Sequence, residues 1–371
     1  MSVRKIQKIR DDGAFEEKGL EAIFLTKQEN ITYVLGFKIE SDTFIMIPRD
    51  DVNEGITWIF VNALEYDQVK RTLAENKELH ETVELKLIPG GKASYIPDEI
   101  NNLDLKTVGF EEDFISVQKH EEWKEKFTIP NLIGASEIIS NARMTKTQDE
   151  IERMKSAAKL GELGFKTIYD TIQEGMSEEE LAAEAEYEMR KAGSEGTSFD
   201  TIVAAGEQSA YPHAKTSNHK IKDGDLIIVD IGARYRGYCS DMTRTFIFGK
   251  VEPLKAELVN LVNDGQEFGL EHAKAGILCK DLDKLVRKYF KKKKREWGNK
   301  FLHSLGHGVG VEIHENPYLS PISKEILQEG MVVTLEPGLY IQGLGGARTE
   351  DQVVIKKDGY TSLTGTQKFY Y

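Results

Sequence analysis

The chain has 371 residues, 40% apolar and 9% aromatic, enough for globular cores but more than one core ordinarily serves, so two domains are expected. A net charge of −13, from 62 acidic against 49 basic residues, argues against a nucleic-acid-coating role, and no run approaches the roughly 18 apolar residues of a membrane span. The N-terminal Met-Ser-Val-Arg-Lys-Ile-Gln-Lys lacks the apolar core of a secretory signal, and Cys239 and Cys279 are the only cysteines, so a cytoplasmic protein without disulfides is expected.

The first third alternates helical patches with short apolar runs: Ala22-Ile23-Phe24-Leu25, Ile45-Met46-Ile47, Trp58-Ile59-Phe60-Val61, Leu85-Lys86-Leu87-Ile88 and Val108-Gly109-Phe110. That is the pattern of an α/β domain. No Gly-x-Gly-x-x-Gly follows a strand and no phosphate-binding loop occurs, so this domain is expected to cap a site or pair subunits and not to bind a nucleotide. Past Pro130 and the polar Ser140-Asn141-Ala142-Arg143, the capping box Thr147-Gln148-Asp149-Glu150 opens a helix that carries Ile151, Met154, Ala158, Gly161 and Phe165 at helical spacing. The expected domains are therefore 1–135 and 145–371, in an α+β chain.

A second capping box, Ser177-Glu178-Glu179-Glu180, opens a helix with Leu181, Ala185 and Met189 on one face and a stop at Gly193. From Leu226 strands are expected to dominate, broken by helices around 253–275 and 281–293. The second of these carries Leu282, Leu285 and Tyr289 and runs into Lys291-Lys292-Lys293-Lys294-Arg295. Cations there complement the helix dipole, so the block reads as a solvated helix end and not as a nuclear signal or RNA patch.

Five side chains with metal-binding chemistry lie in this strand-rich half. Asp230 ends Leu226-Ile227-Ile228-Val229, Asp241 lies in Gly-Tyr-Cys-Ser-Asp-Met-Thr-Arg-Thr, His307 in His-Ser-Leu-Gly-His-Gly-Val-Gly, Glu336 in Thr-Leu-Glu-Pro-Gly and Glu350 in Gly-Ala-Arg-Thr-Glu-Asp. Asp230 and Asp241, with Gly237 between them, can face each other across a hairpin. Pro337 holds Glu336 extended, and Gly306, Gly308 and Gly310 let the backbone around His307 fold tightly. An oxygen-rich set with one histidine suits two divalent cations, Mn(II) before Co(II) or Zn(II), and metal-assisted hydrolysis. Cys239, two places before Asp241, is read as a buried apolar residue, because a hard carboxylate site does not call for a thiolate.

These segments, in this order, resemble those of the metallopeptidases that include methionine aminopeptidase, aminopeptidase P and prolidase. The resemblance implies a pita-bread (creatinase/aminopeptidase) catalytic domain from about residue 147, preceded by a smaller creatinase-type α/β domain, seen most clearly in Glu29-Asn30-Ile31-Thr32-Tyr33-Val34-Leu35-Gly36-Phe37. It implies that Asp230 binds one metal, His307 and Glu336 the other, and that Asp241 and Glu350 bridge them, with Glu336 also taking the water's proton. His213 in Ala-Tyr-Pro-His-Ala and His314 in Glu-Ile-His-Glu-Asn-Pro match histidines that contact substrate. His303 either lines a proline pocket or braces His307, and Arg348 pairs with a site acid or with a substrate carboxylate.

The Arg-x-Glu spacing and the N-terminal domain resemble the prolidase and aminopeptidase P branch. A homodimer cleaving the Xaa-Pro bond of dipeptides is expected, with an aminopeptidase acting on longer peptides as the alternative. Metal-free creatinase-like hydrolysis and a binding protein that has lost its ligands are more remote, since all five ligands are present. One departure is Val61-Asn62-Ala63-Leu64-Glu65-Tyr66, where prolidase-like domains often carry an Asp-x-Arg-Tyr-type segment.

Overall fold

The structure is a computed structural model that describes residues 3–75, 82–88 and 96–371. It divides into two compact units, Met1–Arg143 and Met144–Tyr371. The helix Ser136–Met144, outside both expected domains, is tied into the first unit by the Tyr33 hydroxyl, which donates to Ala142 O at 2.8 Å, and by Arg143 Nη1, which donates to Asn30 Oδ1 at 2.7 Å.

All five apolar runs of the first unit form strands: β1 (Ala22–Leu25), β2 (Thr43–Pro48), β3 (Thr57–Asn62), β4 (Val83–Ile88) and β5 (Thr107–Phe110). A sixth, β6 (Asn131–Gly134), completes a sheet of order β4-β3-β2-β1-β5-β6. One face packs on an aromatic cluster in which Phe24, Phe44, Trp123 and Phe127 touch ring to ring. The segment 29–37 forms the helix Gln28–Leu35, closed by Gly36 at φ 76°. The Val61–Tyr66 segment ends β3 and turns into a helix, leaving Leu64 exposed.

The second unit repeats one plan: two helices, then an antiparallel hairpin. Both predicted capping boxes form, at Thr147 and Ser177, and start the helices Gln148–Thr171 and Glu178–Lys191. Their apolar faces bury Phe165, Ile168, Leu181, Ala185 and Met189 against β8 (Ile202–Ala205), β9 (Leu226–Ile231) and β12 (Met242–Ile247). The short strands β7 (Gly196–Thr197), β10 (Ala233–Tyr235) and β11 (Tyr238–Cys239) form a small sheet beside them.

The second round uses the helices Pro253–His272 and Cys279–Lys293. They pack on β13 (Gly306–Gly308), β14 (Glu315–Leu319), β15 (Val332–Leu335), β18 (Asp351–Lys356) and β19 (Gly359–Ser362), while β16 (Gly338–Ile341) pairs with β17 (Gly345–Arg348). The buried line of the later helix runs through Leu282, Val286 and Phe290, with Leu285 and Tyr289 only flanking it; Lys291, Lys292 and Lys293 form its exposed last turn. Both cysteines are free and buried.

Two interrupted hairpins carry the carboxylates. In the first, β9 pairs with β12 from Leu226 opposite Ile247 to Ile231 opposite Met242, and β10 pairs with β11 with Arg234 opposite Cys239. One register therefore runs through the gap at Gly232 and Asp241, up to a two-residue turn at Arg236 and Gly237 with φ of 47° and 79°. In the second, Leu335 lies opposite Asp351 and Gly338 opposite Arg348, so Glu336 and Glu350 are register partners across the break. Pro337, with no N–H to give, prevents a continuous ladder there.

Candidate metal centre and substrate cavity

Asp230 is paired with Thr243 in the β9–β12 ladder, and Asp241 lies two residues before Thr243. Residues two apart on a strand share a face, so Asp230, Thr243 and Asp241 point the same way. The approach is close: a Cβ on Gly232 would lie 2.0 Å from the Ser240 carbonyl oxygen, which only glycine avoids. The two hairpins meet through Glu350 N, which donates to Thr243 O at 3.0 Å, and through Arg348 N, which donates to Thr245 Oγ1 at 3.0 Å.

His307 reaches the same place from β13. A Cβ on Gly306 would sit 2.0 Å from Thr334 O, so glycine is needed for β13 to lie against β15, and His307 N then donates to Thr334 Oγ1 at 3.1 Å. The His307 ring donates from Nδ1 to Gly308 O at 3.0 Å, which leaves Nε2 as a bare lone pair, 3.5 Å from Asp241 Oδ2 and 3.4 Å from Glu336 Oε1. Burial, followed by the neighbouring His314, pushes the His307 imidazole down to about 3, so the ring is neutral.

Asp241, His307 and Glu350 each place a ligand atom within 4.8 Å of the others. Every nominated side chain (Asp230, Asp241, His307, Glu336, Glu350, His213, His303, His314 and Arg348) lines one cavity of about 390 Å³. The remaining wall includes Phe199, Ile202, Pro212 and Tyr318, which the sequence reading did not nominate. His314 packs edge-on against His307, with ring centroids 4.4 Å apart.

The electrostatics call for cations. Burial, and then the charges of neighbouring carboxylates, hold Asp241 and Glu336 well above the usual carboxylate range and push Glu350 up to about 8. Four acids face a single guanidinium. Asp230 Oδ1 and Glu350 Oε1 are both buried without a hydrogen-bond partner, a costly arrangement for a closed protein surface and an apt one for metal ligands. With a neutral Nε2 added, the donor set fits hard or borderline divalent cations.

Arg348 is buried and already engaged. Nη2 donates to Asp230 Oδ2 at 2.6 Å, Nη1 to the Tyr340 hydroxyl at 2.8 Å and to Pro212 O at 3.2 Å, and Nε to Thr243 Oγ1 at 3.1 Å. Of the two roles left open for it, pairing with a site acid is the one formed. His303 Nδ1 faces Ser304 O at 2.9 Å and Nε2 faces the Tyr340 hydroxyl at 2.9 Å. Burial, and then Arg348, push His303 down to about 3, so its neutral ring takes the Tyr340 hydroxyl proton as a hydrogen bond while Tyr340 accepts from Arg348. His303 thus both lines the cavity and stands 3.8 Å from Glu336. Tyr340 and Thr243 had no separate sequence signal, because their partners lie far away in the chain.

The model of metallopeptidase family M24 matches residues 152–357, and that of the creatinase/prolidase N-terminal domain matches residues 5–145. A Xaa-Pro dipeptidase of Pyrococcus furiosus is 35% identical, over 95% of this chain and 96% of that one. Among solved structures, a Xaa-Pro dipeptidase from Bacillus anthracis superposes with a TM-score of 0.91 at 33% identity, covering 99% of this chain and 98% of that one. An X-Pro aminopeptidase from Thermotoga maritima superposes with a TM-score of 0.86 at 34% identity, covering 97% and 99%.

Proposed function

Because the chain belongs to metallopeptidase family M24 and has the two-domain creatinase/aminopeptidase fold, we propose that it hydrolyses the peptide bond between an N-terminal residue and proline, acting first on Xaa-Pro dipeptides. The observation that carries this reading is the convergence of Asp230, Asp241, His307, Glu336 and Glu350 on one cavity, with two buried carboxylate oxygens bare. Those five would hold two divalent cations, with Mn(II) favoured by the oxygen-rich set and Co(II) or Zn(II) as alternatives. A bound pair of such ions supplies an acidified water and polarises the scissile carbonyl.

The chain's own residues do the rest. Glu336 holds the proton taken from the attacking water on a carboxylate oxygen and delivers it to the departing proline nitrogen. His213 and His314, on the cavity wall, orient the carbonyl and donate to its oxygen as negative charge develops. His303 and Tyr340 fix that wall, and Phe199 and Ile202 give it an apolar side. The domains act as 1–135 and 145–371, with the helix Ser136–Met144 joined to the first, and the assembly is a cytoplasmic homodimer.

Arg348 supports a second reading, an aminopeptidase for longer peptides. Among the described residues the one permanent cation lining the cavity, Arg348, already has Asp230 as its partner, so a dipeptide's free carboxylate finds no unpaired guanidinium among them. The test is to purify the protein without chelator, measure bound metal, and assay Ala-Pro, Ala-Ala and Ala-Pro-Ala with Mn(II), Co(II) and Zn(II) in turn. About two ions per chain and cleavage of Ala-Pro well above Ala-Ala are expected. Equal cleavage of Ala-Ala would end the proline-specific reading, and a marked preference for Ala-Pro-Ala would install the aminopeptidase.

A further inference from the structure

Thr243 is buried at the junction of the two hairpins, and its hydroxyl sits between two charged groups. Arg348 Nε donates to Thr243 Oγ1 at 3.1 Å, and Thr243 Oγ1 lies 2.7 Å from Glu350 Oε2. A guanidinium N–H can only donate, so the hydroxyl receives that bond on a lone pair and points its single proton at Glu350. The same arginine takes Asp230 Oδ2 at 2.6 Å. Each of these carboxylates, one per hairpin, thus has one oxygen held by the protein, and its other oxygen, Asp230 Oδ1 or Glu350 Oε1, is buried and bare.

We propose that Thr243, acting with Arg348, is a positioning residue for the metal centre: it selects which oxygen of Glu350 is offered to a cation and locks that choice to the orientation of Asp230. The proposal rests on the reading of Asp230 and Glu350 as metal ligands. Backbone pairing makes it specific to this position, because Thr243 is the register partner of Asp230 and its carbonyl receives Glu350 N, so the hydroxyl cannot serve one hairpin without touching the other.

The test is Mn(II) titration by calorimetry on metal-stripped protein without substrate, for the natural chain, Thr243→Val and Thr243→Ser. Valine keeps the shape and removes the proton; serine keeps the proton. Loss of an outer hydrogen bond to a ligand weakens metal binding about 10- to 100-fold, which is the drop expected for valine, with serine close to the natural chain. Melting of the stripped proteins separates this from simple unfolding, since serine must recover affinity whatever valine does to stability. Valine binding as tightly as threonine overturns the proposal while leaving the metal centre standing. A natural chain that takes up no cation overturns both.

Discussion

The two carboxylate hairpins place their acids in different ways. In the first, Asp230 stays inside the ladder and Asp241 stands diagonally from it at a gap closed tightly by Gly232. In the second, Glu336 and Glu350 stand directly opposite each other at a gap held open by Pro337. Ordinarily, facing like charges in a sheet are destabilising. Both hairpins therefore carry a local cost at the same level of the fold, and the cost becomes useful only where the two face each other with His307 between. One acid of each hairpin is steadied, Asp230 by Arg348 and Glu350 by Thr243, whereas Asp241 and Glu336 both face His307 and Glu336 also has His303 nearby. This difference suits the held pair, Asp230 and Glu350, to static ligation and leaves Glu336 the carboxylate for proton transfer.

The largest expected effect comes from breaking the second hairpin's ligation. Glu350→Ala, or His307→Ala at the centre, should bring turnover to background and lower the metal content of the purified protein while the fold persists. Removing one ligand leaves the remaining carboxylates as mutually repelling charges. Full activity in either variant would refute the assignment. Next is Glu336→Gln, which keeps size and one oxygen but cannot take a proton. Turnover should fall by about a hundred- to ten-thousandfold with KM little changed. A variant altered only in KM would move the base elsewhere.

A third expectation concerns pH. In the metal-free chain, burial and then the Asp230 charge raise Glu350 from 4.5 to about 8, and Asp241 and Glu336 are raised too. A raised carboxyl keeps a proton in the folded state that the unfolded chain has released. Stability of the metal-free protein should therefore decline as pH climbs from 4.5 towards about 8 as Glu350 is deprotonated, with Asp241 and Glu336 adding to the decline in the same direction. Cation loading must expel those protons. Calorimetry of Mn(II) binding at about pH 6, run in buffers of different ionisation enthalpy, should show proton release. Binding heat independent of buffer would contradict it.

Local words in the chain made much of this legible. The five apolar runs of the first unit, both capping boxes and all nine nominated cavity residues carry their signal within a few neighbouring positions. β6 was missed because Asn131-Leu132-Ile133-Gly134 is too short and too polar at its ends to stand out. The shared registers, Thr243 and Tyr340 were missed for a different reason. Their meaning lies in partners such as Glu350 for Thr243 and His303 for Tyr340, which the chain brings near only once both hairpins have formed.

Arg348 shows how such a partner changes an expectation, and it gives the smallest predicted effect. From the chain alone, an arginine two residues before Glu350 can hold a dipeptide's carboxylate. Its loss would then shift the dipeptide-to-tripeptide ratio about tenfold, the equivalent of one unpaired buried charge contact. In the folded protein its donors are spent on Asp230, Tyr340, Thr243 and Pro212, leaving a single N–H. Arg348→Ala should therefore slow Ala-Pro and Ala-Pro-Ala alike, through a misplaced Asp230, and leave their ratio of kcat/KM nearly unchanged. A ratio that moves by about tenfold against the dipeptide would return the carboxylate to Arg348, and would mean that the first hairpin gives up its ion pair when substrate binds.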